Sequence, residues 1–207
     1  MKAFAFPALI AGTVAAFVVA GTRVNASSLE VRDLQFTPVA EASDSVVVQT
    51  SKAPDFSLKG VDGKTHTLES TLKGADEVVF YFIGNTCPIN AKALPMVNKF
   101  ANTANADKKV KFVGIIDTDM EGYKAWNKRF NAKYPVLLDE DKEVIAAFGA
   151  QRSPWFVVVN SKGEVVHTDK GYSKKSLQSM NERVAKLNGV EPVKVDLSKA
   201  PVDMQFG

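Results

Sequence analysis

A run of six apolar residues at positions 78–83 (Val-Val-Phe-Tyr-Phe-Ile) constrains the fold of this chain more than any other feature. A continuous β-branched and aromatic run of this length is typical of a β-strand that is buried on both faces. It ends at Gly84-Asn85-Thr86-Cys87-Pro88, and apolar residues then recur at helical spacing up to about residue 104. Because proline suits the first turn of a helix, we expect a buried strand that delivers Cys87 to the start of a helix.

Residues 53–187 continue this alternation between strand and helix patterns. A hairpin is predicted from the extended residues 53–58 and from residues 65–68, with a turn at residues 60–64. Further strands are predicted at residues 110–116, 134–138, 155–160 and 164–168, further helices at residues 121–132, 141–148 and 173–187, and a short edge strand at residues 45–50. The pattern predicts an α/β fold with a central mixed β-sheet, helices on both faces and an N-terminal β-hairpin extension.

The first 26 residues differ from the rest of the chain. After Lys2, residues 3–21 carry no charge, and Val24-Asn25-Ala26 places small or aliphatic residues at the positions that a signal peptidase inspects. This pattern predicts a secretory signal peptide at residues 1–26. A retained anchor is the alternative, because 19 uncharged residues approach the ~20 that cross a bilayer as a helix.

Export follows from either reading of the N-terminus. The folded part is expected to be periplasmic, secreted or lumenal, and attached to a membrane only if residues 3–21 are retained. Residues 27–52 show no sustained period and are expected to form a leader or linker. Residues 188–207 contain Pro192 and Pro201 without a clear period, and they are expected to form an extended C-terminal tail.

The charge balance and the number of possible metal ligands argue against some classes of function for this chain. Removal of residues 1–26 would leave 24 basic and 23 acidic residues, a balance that gives no reason to expect a nucleic-acid partner. Cys87 is the only cysteine, and His66 and His167 are the only histidines. These are too few soft ligands for a structural zinc site, so no metal is predicted. The chain also has no Gly-rich phosphate loop, and no cofactor is expected.

Four features of residues 53–187, which are 135 of the 207 residues, occur together. They are the opening Ala53-Pro54-Asp55-Phe56-Ser57-Leu58 with its Asp62-Gly63-Lys64 turn, the buried strand before Cys87-Pro88, Pro95 eight residues after the cysteine, and Ser153-Pro154 before the strand at residues 155–160. Together they resemble the redoxin branch of the thioredoxin superfamily, the thioredoxin-like and alkyl hydroperoxide reductase/thiol-specific antioxidant (AhpC/TSA) group. The resemblance implies a thioredoxin-like fold in which Pro154 is a cis-proline packed beside the active cysteine.

The chain departs from the family pattern around Cys87. The dithiol motif would need a second cysteine at residue 90, where this chain has Asn90, and Thr86 replaces the tryptophan that often precedes the first cysteine. One thiol cannot form an internal disulfide. The peroxidase branch is expected to carry proline and Thr or Ser upstream of its cysteine, whereas the position three residues earlier is Gly84.

Cys87 is the predicted catalytic residue. At a helix N-terminus, free N–H groups and the helix dipole favour the thiolate, which is the reactive form of cysteine. An inert, buried cysteine is the alternative. Arg152 would add positive charge if its side chain turned inward, and would otherwise be a solvated loop residue. The residues expected to surround the thiol are Thr86, Pro88, Asn90, Arg152, Ser153 and Pro154.

Two functions of different classes remain open. The first is an exported monothiol oxidoreductase, in which Cys87 attacks a disulfide or a peroxide and is restored by an external thiol. Its partners would be protein or small-molecule disulfides, peroxides or thiols, together with an external reductant. The second is a non-catalytic thioredoxin-fold binding or scaffold module that holds an extended peptide between Cys87 and Pro154. The missing second cysteine favours binding, and Cys-Pro at a helix start favours chemistry.

Overall fold

The computed structural model describes residues 51–107 and 109–207, without the side chains of residues 105–107. In chain order the elements of this part are β1 Ser57–Gly60, β2 Thr65–Thr67, α1 Leu68–Leu72, β3 Glu77–Ile83, α2 Pro88–Asp107, β4 Val110–Ile116, α3 Met120–Phe130, β5 Val136–Leu138, α4 Glu143–Ala147, β6 Trp155–Asn160, β7 Val165–Lys170 and α5 Lys174–Asn188. The signal peptide predicted at residues 1–26 and the edge strand predicted at residues 45–50 lie outside the described residues.

The strands form one mixed sheet in the order β2-β1-β5-β4-β3-β6-β7. β3 pairs with β4 in parallel and with β6 in antiparallel, so the most apolar strand has a neighbour on both edges. β1 and β2 form the predicted N-terminal hairpin, and β1 joins the sheet through Lys59, which lies opposite Leu138. The prediction of a mixed sheet with an N-terminal hairpin is therefore confirmed.

Side chains of β3 point alternately to the two faces of the sheet, and each face is covered by helices. Tyr81 faces α2, α3 and α5 and stacks on Phe156, with ring centroids 4.7 Å apart. Phe80 faces α1 and α4 and contacts the rings of Phe56 and Phe148 at centroid distances of 5.7 and 5.6 Å. The predicted helices on both faces are thus confirmed, and β3 is buried as its sequence indicates.

The structure contains one helix that the sequence pattern does not predict. Leu68, expected at the end of a hairpin strand, is the first residue of α1. The helix begins with a reciprocal capping box, because the Ser70 N–H donates to Thr67 Oγ1 and the Thr67 N–H donates to Ser70 Oγ. Five residues are too few to show a helical period, so the Thr-x-x-Ser spacing was the available signal.

Residues 193–197 show an alternation of burial that was not predicted. Val193, Val195 and Leu197 are half-buried, whereas Lys194 and Asp196 between them are exposed. This alternation is typical of an extended segment that lies with one side on the protein. The expectation of no clear period was therefore wrong for these five residues.

Replacement of Phe80 by alanine should test the two-faced core. The side chain is fully buried and touches two other aromatic rings, so the change should lower the free energy of unfolding by about 3–5 kcal/mol. Urea unfolding followed by circular dichroism measures this loss. The matched control is Val190→Ala, at an exposed position, which should change stability by less than about 0.5 kcal/mol. Equal effects of the two changes would contradict the packing described here.

Candidate active site

Cys87 lies where β3 ends and α2 begins. Its N–H donates to the Gly84 carbonyl oxygen at 3.1 Å, and its own carbonyl oxygen accepts the N–H of Ala91 at 3.2 Å, which is the first bond of the helix. The Cys87 sulfur accepts the N–H of Asn90 at 3.3 Å. The sulfur therefore takes the place of a capping oxygen and faces the free N–H end of the helix, as the sequence predicts.

The loop before β6 lies beside this sulfur. The Ser153–Pro154 peptide bond is cis, as expected, and the Cys87 sulfur is 3.7 Å from the Ser153 carbonyl oxygen. The Ser153 hydroxyl donates to the Phe82 carbonyl oxygen and accepts the Gly84 N–H, each at 3.1 Å. These two bonds fix the cis-proline loop to the end of β3.

The Asn90 side chain joins the parts of the site. It is 1% exposed, its Oδ1 accepts the Tyr81 hydroxyl, and its Nδ2 donates to the Ser153 hydroxyl oxygen. Burial raises the pKa of Tyr81 well above its usual value, with smaller contributions from Tyr134 and Cys87, so this hydroxyl keeps its proton and remains a donor. In the sequence, Asn90 is notable only because it stands where a second cysteine would be. In the structure, its side chain forms hydrogen bonds within the site.

One side of the site is polar. Asp117, which follows β4, accepts the Asn85 N–H at 2.6 Å through Oδ1. Its other carboxylate oxygen is 3.6 Å from the exposed Lys142 ammonium group. Asp117 and Lys142, together with Cys87 and Arg152, line a cavity of about 390 Å³. Lys142 precedes α4 in a loop with no recognisable motif, so only the fold places it here.

The remaining predicted residues lie around the same cavity. Thr86 and Pro88 are exposed on its rim. Arg152 is also exposed, and its guanidinium carbon is 5.5 Å from the centroid of the Phe206 ring. Neither reading of Arg152 anticipated this contact, because Phe206 belongs to the segment that was expected to be a tail.

Gly207 also reaches the site from that C-terminal segment. It lines the cavity, and its N–H donates to the Ser153 carbonyl oxygen at 2.9 Å. The Cys87 sulfur faces the same oxygen. Nothing in the sequence between Pro201 and Gly207 predicts this position.

The two histidines lie in other contacts. His66 is 3.1 Å from Asp62 and His167 is 2.9 Å from Asp169, and the hydrogen bond with His66 lowers the pKa of Asp62. Within residues 51–107 and 109–207, no group of three or more His, Cys, Asp or Glu side chains could hold a metal ion.

A central mixed sheet, a cysteine at the start of the helix after β3 and a cis-proline loop beside its sulfur define a thioredoxin-like protein. The family model described as Redoxin matches residues 49–186, well over half of the chain. The chain belongs to the Redoxin family. The resemblance to a thioredoxin-like redoxin family is confirmed, and a monothiol variant of this family fits the single cysteine.

Similar proteins share this fold. The thiol-disulfide oxidoreductase ResA of Bacillus subtilis is 27% identical over 132 residues, which cover 63% of this chain and 72% of ResA. The structure of MTB dsbF is 28% identical with a TM-score of 0.53, over 64% of this chain and 94% of the other. The exposed lipoprotein thioredoxin Etrx1 of Streptococcus pneumoniae is 26% identical with a TM-score of 0.51, over 66% of this chain and 100% of the other.

The hydrogen bond between Asn90 and Tyr81 should appear as coupling in a double-mutant cycle. Asn90→Leu keeps the number and branching of the side-chain heavy atoms but leaves the buried Tyr81 hydroxyl without its partner, which should cost about 1–3 kcal/mol. Addition of Tyr81→Phe removes the unpaired hydroxyl, so the double variant should be more stable than Asn90→Leu alone. Urea unfolding of the four proteins gives the coupling energy. Additive effects would show that the two side chains do not interact.

Proposed function

We propose that this chain is an exported thiol–disulfide oxidoreductase that works through one thiol, that of Cys87. The observation that carries the proposal is the position of the Cys87 sulfur, which accepts the Asn90 N–H at the start of α2 and lies beside the Ser153–Pro154 loop. The thiolate is the nucleophile in disulfide exchange, and the Asn90 N–H lies within hydrogen-bond distance of the sulfur that would carry the charge. The ResA relatives, which carry the name thiol-disulfide oxidoreductase, support the same chemistry.

The reaction runs in two exchange steps. The Cys87 thiolate attacks one sulfur of a disulfide, the bond between the two substrate sulfurs breaks, and the other sulfur leaves as a thiolate that takes a proton from solvent. Cys87 is then held in a mixed disulfide. An external thiolate attacks the substrate sulfur of this bond, so a disulfide forms between the external thiol and the substrate and Cys87 leaves as the thiolate; a second external thiol reduces the new disulfide. External thiols supply the reducing equivalents, because the chain has no second cysteine.

Asn90 stands where the dithiol motif would have its second cysteine, and it has a structural role in this site. Its side chain connects α2 with Ser153, and its backbone N–H points at the Cys87 sulfur. We assign Asn90 and Ser153 to positioning: they hold the sulfur and the cis-proline loop in one arrangement. A mixed disulfide on Cys87 then persists until an outside thiol arrives.

Disulfides are the proposed substrates ahead of peroxides. The ResA relatives carry the name thiol-disulfide oxidoreductase. The peroxidase branch is expected to carry a proline and a Thr or Ser upstream of its cysteine, whereas the position three residues before Cys87 is Gly84. A role as an AhpC/TSA-type antioxidant would require peroxide to turn Cys87 into a sulfenic acid that external thiol reduces. Peroxide consumption by this protein should therefore be measured separately from disulfide exchange.

Export is part of the proposal. It is supported by the signal-peptide pattern of residues 1–26 and by the similarity to an exposed lipoprotein thioredoxin. Within residues 51–107 and 109–207, no helix has the length and apolar character needed to cross a membrane.

Replacement of Cys87 by serine tests the function. The protein should accelerate exchange between bis(2-hydroxyethyl) disulfide and reduced glutathione, and Cys87→Ser should return the rate to that of the uncatalysed reaction. A small disulfide is chosen because it needs no extended binding groove. The same native protein should form a mixed disulfide that mass spectrometry detects before glutathione is added. Equal rates for native and Cys87→Ser would contradict the proposal and leave the binding module as the function.

Replacement of Asn90 by cysteine should create the missing dithiol. Residues 87 and 90 are one helical turn apart, which lies within the Cα separation that a disulfide bridges. After mild oxidation the variant should lose both free thiols and two hydrogens in mass, and dithiothreitol should restore them. Asn90→Ser is the matched control, because it removes the amide without adding sulfur. Persistence of two free thiols would show that the residues are not positioned as described.

A further inference from the structure

The last residues of the chain contact the domain at several points along their length. We call residues 190–207 the C-terminal strap. Near its start, the buried Asn181 side chain donates to the Val193 carbonyl oxygen at 2.7 Å and accepts the Val193 N–H at 3.1 Å. Val195 and Leu197 pack against the core, and Ala200 is 4% exposed. The strap is therefore packed against the surface of the domain.

The strap ends beside Cys87 and pairs there through its main chain. Gln205 exchanges two backbone hydrogen bonds with Tyr172, at 2.8 and 3.0 Å. Gly207 exchanges two with Ser153: its N–H donates to the Ser153 carbonyl oxygen at 2.9 Å, and its carbonyl oxygen accepts the Ser153 N–H at 3.4 Å. Both main-chain groups of the residue before Pro154 are thus occupied by the chain itself.

Two glycines stand at points where the strap lies close to the domain. A Cβ on Gly171, which has φ of +73°, would lie 2.8 Å from the Gln205 carbonyl oxygen. A Cβ on Gly207 would overlap the Cys87 sulfur. Side chains at these positions would push the strap away, so the close approach depends on both glycines.

An extended polypeptide would need the same place. A chain that adds to the loop at Ser153 can bind only through the N–H and carbonyl groups that Gly207 now uses. Cys87 is half-buried with the strap in place, and the cavity that Gly207 lines together with Asp117, Lys142 and Arg152 remains beside it. A small molecule can therefore reach Cys87 while the strap is in place, whereas an extended chain cannot.

We propose that residues 203–207 of the strap act as an internal competitor that restricts Cys87 to small thiols and disulfides until the strap is displaced. The proposal rests on the thiol–disulfide function proposed above and adds a substrate-size limit to it. A polypeptide disulfide can react only in the fraction of molecules in which the strap is lifted, so its apparent rate falls by that fraction. Strap release is then the step at which access for polypeptides is controlled.

A pair of variants at one position separates the strap from other effects. Gln205→Pro removes the N–H that donates to the Tyr172 carbonyl oxygen, whereas Gln205→Ala keeps it. Two probes carry the same thionitrobenzoate group in a mixed disulfide, one on 2-mercaptoethanol and one on the single cysteine of a short unstructured peptide. Attack by Cys87 on the carrier's sulfur forms a disulfide to the carrier and releases coloured thionitrobenzoate, so release measures the attack.

The two probes should respond differently. Gln205→Pro should raise the rate with the peptide probe about tenfold and change the rate with the small probe by less than about twofold, and Gln205→Ala should match the native protein with both. An unchanged peptide rate in Gln205→Pro would overturn the proposal, and so would an equal rise with both probes. Failure of the native protein to react with the small probe beyond the Cys87→Ser background would instead overturn the proposed function.

A second variant and a second readout protect the test from a folding defect. Gly207→Val would place a side chain against the Cys87 sulfur, so it should displace the end of the strap and raise the peptide rate in the same way. Amide hydrogen exchange should show faster exchange at Tyr172 in both variants, with protection at Val193 retained because Asn181 still holds it. Native-like protection at Tyr172 together with a faster peptide reaction would contradict the strap as the barrier.

Discussion

One buried amide holds the candidate site together. Asn90 accepts a hydrogen bond from Tyr81 in the central strand, donates one to Ser153 in the cis-proline loop, and presents its own backbone N–H to the Cys87 sulfur. These contacts join the end of β3 and the start of α2 to a loop that lies 63 residues beyond Asn90 in the sequence. An amide can donate and accept at once, which a thiol at the same position does only weakly. The position that removes dithiol chemistry from this chain therefore also fixes the geometry of the remaining thiol.

The central fold could be predicted because its signals are local. The apolar run at residues 78–83 and the similar run at residues 110–116 correspond to β3 and β4, and the periodic residues after Pro88 correspond to α2. The helix α1 was missed because five residues show no period. Thr67 and Ser70 could have indicated its capping box, but only if serine had been accepted at the position where the motif usually has Glu or Gln.

Part of the site could also be predicted, because some of its signals are local in the sequence. Cys87 and Pro154 were identified from short motifs, whereas the bonding of Asn90 depends on Ser153, 63 residues away. Lys142 reaches the cavity only because the sheet order places β5 next to β4. The strap was described as a tail because prolines dominated its pattern, although the alternation at residues 193–197 already indicated a surface-bound segment. Long-range pairings of this kind leave no trace in local periodicity.

The way in which the strap is held has a consequence for how its sequence can change. At Gln205 and Gly207 it binds the domain through backbone groups, and the side chains of Val202, Asp203 and Met204 are exposed. Substitutions at these exposed positions leave every main-chain bond in place, so the segment can vary in composition while its path stays the same. Proline at residue 205 or a branched side chain at residue 207 would alter that path. Residues 202–204 of the strap should therefore tolerate changes of side chain, whereas residues 205 and 207 constrain the backbone.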